Sequence, residues 1–128
     1  MELGDMYKEE MLEHYRNPQN YGKIAKADAS YPDYNPVCGD EIYITLKIKK
    51  NAIEEIRFTG KGCAISQGSA SIVTEHLKGK KLKEAAGMKK EDMLKLLPIE
   101  VSSLRIKCAL LAMKAIQKAI INYEGGKK

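Results

Sequence analysis

The chain has 128 residues, 44% of them hydrophobic and 30% charged, which is enough for one core and too few for two. Its net charge of +5 and pI near 9.0 go with scattered lysines, one phenylalanine and no tryptophan, a poor basis for base stacking, so the charge is read as solvation or as a docking surface for an acidic protein, with no nucleic acid as partner. No apolar stretch is long enough for a membrane helix, and the opening MELGDMYKEEMLEHY is too acidic for a signal or transit peptide, so a soluble, cytoplasmic protein without membrane contact is expected.

Residues 5–16, DMYKEEMLEHYR, place Met11, Leu12 and Tyr15 at helical spacing, with Asp5 as N-cap and Asn17-Pro18 as a stop. A loop rich in Gly, Pro, Asn and Tyr follows to about residue 40, with an edge strand near residues 26–34. Residues 41–49, EIYITLKIK, then alternate strictly, Ile42, Ile44, Leu46 and Ile48 on one face and Tyr43, Thr45, Lys47 and Lys49 on the other. Lys50-Asn51 turns the chain into AIEEIRFTG, where Ile56 and Phe58 share a face and Ile53 falls off the period, which predicts a bulge. Two antiparallel strands with one apolar face require helices to cover it. SQGSASIVTEHLKG supplies one from about Ser66 to Gly79, and KEDMLKLLP a short one closed by Pro98. A long helix follows from about Ser102 to Tyr123, capped by Ser102 or Ser103, with Leu104, Cys108, Leu111, Ala115 and Ala119 on one side. Residues 124–128, EGGKK, read as a flexible tail. The expectation is a single α+β domain over residues 1–128, a small antiparallel sheet of about three strands with helices packed on one face.

Three cysteines without a secretory signal argue for reduced thiols and against a disulfide framework. A buried cysteine is often a small hydrophobe, and Cys108 fits that description on the apolar side of its helix. Cys38 and Cys63 fit it less well, because each stands beside a glycine, Gly39 or Gly62, at a strand end where the backbone can approach a bound group. The hairpin brings Cys38, Asp40 and Cys63 to its open end, opposite the Lys50-Asn51 turn. If the last helix starts at that same end, Cys108 completes three thiolates and one carboxylate, a set suited to tetrahedral zinc or to an iron–sulfur cluster. One harder carboxylate among thiolates would make a cluster easier to build and to release.

Four stretches, HYRNPQNYG (14–22), NPVCGDEI (35–42), GKGCAISQGSAS (60–71) and RIKCALLAMKAI (105–116), make the sequence resemble the IscU/SufU/NifU N-terminal-domain family of iron–sulfur cluster assembly scaffolds. The resemblance runs from about Tyr7 to Tyr123. It implies an IscU-like fold with the site at one end of the sheet, and it matches Cys38, Cys63, Cys108 and Asp40 to the family's three cysteines and aspartate. It further implies a transient [2Fe–2S] cluster, with zinc in the same pocket in related proteins, sulfur from a cysteine desulfurase, and transfer to apo-proteins such as a ferredoxin. Lys107 stands where the IscU branch has a histidine, as in the SufU branch, and its charge would support Cys108. The interval from Cys63 to Cys108 is too short for the SufU insertion. Val101-Ser102-Ser103-Leu104-Arg105 replaces a proline-containing stretch that a dedicated Hsp70 chaperone recognises in IscU, so that chaperone is not expected as a partner.

Three functions follow from these residues: a cluster scaffold that is not itself an enzyme, a zinc-dependent SufU-like sulfurtransferase taking a persulfide on Cys63 or Cys108, and a small protein with purely structural zinc. A homo-oligomer sharing one cluster is compatible with the first. His14 reads as a structural or surface residue and His76 as solvated. Ser66, Ser69 and Ser71 resemble nucleophiles, but with no His–Asp arrangement to support that role they read as helix-capping residues; Tyr7, Tyr15 and Tyr21 read as core packing, with a partner-facing patch as the alternative.

Overall fold

The strict alternation at residues 41–49 becomes the central strand of a three-stranded antiparallel sheet. The computed structural model describes residues 3–36 and 39–126, with side chains from Lys8 onward. The elements are α1 (Leu3–Arg16), β1 (Ala29–Asn35), β2 (Asp40–Lys49), β3 (Ala52–Lys61), α2 (Ala64–Leu77), α3 (Leu82–Ala86), α4 (Lys90–Leu96) and α5 (Ile106–Gly125). The sheet order is β1-β2-β3, both pairs antiparallel, as expected.

Ile42, Ile44 and Leu46 from β2 and Ile53, Ile56 and Phe58 from β3 are all buried, each such side chain contributing about 1.5–3 kcal/mol relative to exposure. α5 covers β1 and β2, α2 covers β3 and packs on α5, and α1 lies against α2. Ala109, Ala112, Ala115 and Ala119 of α5 are fully buried, and their small size suits close packing in this layer. α1 approaches α2 closely at Gly68, where a Cβ would crowd the Met11 carbonyl and thioether.

The expected bulge is present. Register passes from Lys47↔Glu55 to Ile48↔Ile53, leaving Glu54 as the extra residue and letting Ile53 turn inward. Lys50 and Asn51 both have positive φ, 53° and 60°, the conformation of a type I′ hairpin turn. Backbone bonds from Ile53 N–H to Lys80 O, Gly79 N–H to Ile53 O and Leu82 N–H to Asn51 O, 2.8–2.9 Å, tie this closed end to the α2–α3 link.

The HYRNPQNYG stretch guards the outer edge of β3, which otherwise offers unpaired backbone groups. Phe58 N–H donates to Asn20 O and Gly22 N–H to Phe58 O, at 3.0 and 2.8 Å. His14 Nδ1 lies 2.8 Å from Ser71 Oγ, which also accepts the Gln19 N–H, and the Asn20 amide donates to Thr74 Oγ1 and Glu75 Oε2. His14 is thus structural, and His76 is exposed.

Several readings need correction. α5 starts at Ile106 with Arg105 as N-cap, whereas Ser102 and Ser103 belong to a preceding turn in which Arg105 N–H donates to Ser102 O. Leu104 therefore lies outside the helix and is 87% exposed. α5 packs on β1 and β2, and its start does not follow the local serine preference. α3, only five residues long, is too short to show a period. α2 starts at Ala64 and its N-cap is Cys63, so Ser66, Ser69 and Ser71 are buried helix residues. Tyr15 and Tyr21 are nearly half exposed, although Tyr21 meets Phe58 edge-on at 5.3 Å. The side chain of Tyr7 lies outside the described residues. α5 extends through Gly125, two residues beyond Tyr123.

Candidate metal centre

Antiparallel pairing of Glu41 with Lys61 sets the first residue of β2 beside the exit of β3, so Asp40 and Cys63 meet although 23 residues apart. The first turn of α5 adds Cys108. One donor atom from each of Asp40, Cys63 and Cys108 lies within 4.8 Å of the others. Asp40 is 1% exposed and Cys108 fully buried, while Cys63 is partly accessible. Cys38, the fourth expected ligand, lies outside the described residues.

A buried carboxylate is costly unless paired. Asp40 Oδ1 accepts the Cys63 N–H at 2.9 Å, and Oδ2 stands 3.9 Å from Cys63 Sγ. α2 has no acidic residue in its first turn and no side-chain bond at its N-cap. Asp40 therefore brings, from β2, the negative charge that the positive end of a helix favours. Gly62 has φ +149°, and a Cβ there would overlap Asp40 Oδ1 and press on Ser66 Oγ; glycine at this position makes room for the carboxylate. Ser66 Oγ donates to Cys63 O at 3.2 Å, and the Gln67 amide donates to Ser66 Oγ and Glu41 O.

On the other side, Asn35 ends β1 opposite Asp40. Its carbonyl accepts Gly39 N–H at 2.8 Å, closing the β1–β2 turn, and its side-chain amide donates to Cys108 Sγ at 3.8 Å. Gly39 has φ +75° and open space around it. Lys107 is exposed beside Cys108. Sequence reasoning passed over Asn35, and considered Ser66 only as a cap or a nucleophile. The signal for Ser66 and Gln67 is the polar run SQGS, buried where an apolar helix face belongs. Asn35 opens the NPVCGDEI stretch, but its contact with Cys108 has no local signal, because it depends on α5 crossing β1.

The donors suit a borderline or soft metal. With Zn–S near 2.3 Å and a tetrahedral angle, two thiolates on one zinc lie about 3.8 Å apart, so donors up to 4.8 Å apart would close by as much as about 1 Å around the ion. Among the described residues three donors converge, one fewer than a closed tetrahedral site takes.

Fold and site together define a small α+β domain with a thiol- and carboxylate-bearing sheet end. The NifU-like N terminal domain family matches residues 6–128, and the chain belongs to that family. It is 37% identical to the zinc-dependent sulfurtransferase SufU of Bacillus subtilis, with 97% of this chain and 95% of SufU covered. It is also 37% identical to the iron-sulfur cluster assembly scaffold protein IscU 1 of Archaeoglobus fulgidus, with 92% and 76% covered. The SufU alignment extends over 142 positions against 128 residues here, so at least 14 positions face gaps in this chain. The solved N-terminal part of a NifU-like protein from Brucella abortus shares the fold, with TM-score 0.78 at 21% identity over 96% of this chain and 97% of that one. Among the described residues no helix is long and apolar enough to cross a membrane.

Proposed function

We propose that this chain is a cytoplasmic scaffold on which a labile [2Fe–2S] cluster is assembled from iron and sulfur delivered by a cysteine desulfurase, and from which it passes to apo-proteins such as a ferredoxin. Cys38, Asp40, Cys63 and Cys108 are its ligands, with Gly39 and Gly62 shaping the backbone around them and Lys107 beside Cys108. The observation that carries this reading is the buried Asp40 carboxylate set among thiols.

Clusters held for electron transfer usually have four thiolates, and an oxygen donor grips iron less covalently. Asp40 also has a second anchor: Oδ1 rests on the Cys63 amide, so the carboxylate keeps its place when the cargo leaves and the site need not be rebuilt. Several relatives named as IscU scaffolds, including those of Archaeoglobus fulgidus and Escherichia coli, support the reading.

The test is anaerobic incubation with ferrous iron, cysteine and a desulfurase, followed by apo-ferredoxin. Visible cluster bands that form on this protein and move to the ferredoxin are expected; bands that never form overturn the reading.

A second reading, a zinc-dependent sulfur acceptor, draws support from the SufU likeness and from Lys107. In it the thiolate of Cys63 or Cys108 attacks the outer sulfur of the desulfurase's cysteine persulfide. A new S–S bond forms as the old one breaks, and the donor cysteine leaves as thiolate. The gaps in the SufU alignment weigh toward the scaffold. Persulfide on this protein without cluster, and with zinc retained, would reverse that preference.

A further inference from the structure

We infer that Asn35 is a positioning residue whose side-chain amide holds the Cys108 sulfur and tunes its bond to metal. This inference rests on the proposed thiolate site and adds to it a residue outside the ligand set.

Asn35 is 7% exposed and Cys108 fully buried, so their 3.8 Å contact lies away from solvent. A buried amide N–H deprived of an acceptor costs roughly 1–3 kcal/mol, so the sulfur stabilises the amide as the amide orients the sulfur. The backbone of Asn35 already does the work of the turn: its carbonyl takes Gly39 N–H, and its register opposite Asp40 joins β1 to β2. Neither contact needs an asparagine side chain. The side chain directs a donor at sulfur, held from both ends because α5, which carries Cys108, packs over β1, which carries Asn35.

A hydrogen bond to a ligating thiolate draws density from sulfur, fixes the direction of its remaining lone pairs and leaves the metal with a slightly poorer electron donor. Partners of this kind outside the ligand set typically account for 10–100-fold in metal affinity, and hydrogen bonds to cluster sulfurs are among the determinants of reduction potential. By orienting the sulfur and stabilising its thiolate form Asn35 favours a bound metal, while the density it draws off limits electron donation from one of the thiolates that must later release it.

The experiment uses the full chain and cobalt(II), whose sulfur-to-metal charge-transfer bands report each thiolate directly. The unsubstituted protein, N35L and N35A are compared, with far-UV circular dichroism and thermal melting to verify that each is folded. Leucine keeps the branched heavy-atom skeleton of asparagine and alanine does not, yet both lack the donor. The expected result is the same shift of the charge-transfer band to longer wavelength in both variants, with about tenfold weaker cobalt binding. Unshifted bands in folded variants, or a loss of affinity confined to N35A, would mean that Asn35 merely fills space and overturn the inference alone. No charge-transfer band in the unsubstituted protein would overturn the thiolate site itself, and the role of Asn35 with it.

Discussion

Gly62 and Asp40 compete for one volume. A methyl group at residue 62 would occupy the position of Asp40 Oδ1, on a backbone with φ +149° that side-chain-bearing residues rarely adopt. G62A is therefore expected to displace the carboxylate and weaken zinc binding by at least about tenfold, measured by competition with a chromophoric chelator. Unchanged affinity would show that the carboxylate is no ligand. Asp40 itself serves two ends. Removing it in D40A takes away the hard ligand, and the assembled cluster should persist longer when challenged with apo-ferredoxin. The same substitution strips Cys63 N–H of its acceptor, so thermal melting should show a loss of about 1–3 kcal/mol. Faster cluster loss in a folded D40A protein would contradict the role of Asp40 as the labile ligand.

Between elements, α5 is pinned to the edge strand by Lys118, whose Nζ lies 2.9 Å from Asp33 Oδ2 and 5.3 Å from the centre of the Tyr31 ring. The hydrogen bond to Asp33 is the main cause that raises the Lys118 pKa above 10.5, against a smaller opposing effect of burial. A raised folded-state pKa gives stability that is complete below the unfolded value and disappears as pH climbs through the folded one. With the Lys118 side chain 45% exposed, solvent screening keeps the contribution below about 1 kcal/mol. K118M should thus cost roughly 0.5 kcal/mol in urea denaturation at neutral pH and almost nothing above the raised pKa; a cost independent of pH would assign the effect to the aliphatic stem. What could be read from the sequence follows the same division between local and distant effects. The β2 alternation, the Lys50-Asn51 turn and the bulge beside Ile53 are written in consecutive residues and were legible. The meeting of Asp40 with Cys63 was legible too, since it follows from hairpin topology. The start of α5, the exposure of Leu104 and the Asn35–Cys108 contact depend on how one element crosses another, and no periodicity reports that.

In the whole molecule, the described donors stand at the open end of the sheet while the core lies between the sheet and the α2–α5 layer. Ile44, Leu46, Ile56, Phe58, Val73, Ile116 and Ile120 are all fully buried, in a hydrophobic cluster that does not include Asp40, Cys63 or Cys108. The closed end is tied by backbone bonds around Ile53, and Gln117 of α5 donates to the carbonyls of Ala85, Ala86 and Met88 near α3, at 2.8–3.4 Å. The expectation is a fold that metal stabilises but does not create. Free metal at a hundred times its Kd adds about 2.7 kcal/mol if it binds only the folded state, an increment on an existing core. Chelation should then leave the far-UV circular dichroism helical and lower the melting temperature by an amount that grows with the metal concentration used for comparison. A structural-zinc protein behaves otherwise, because its binding free energy is its folding free energy and chelators unfold it. Loss of the helical signal on chelation would move the metal from cargo to keystone. Retention would leave the site free to empty and refill on a standing fold, as a carrier requires.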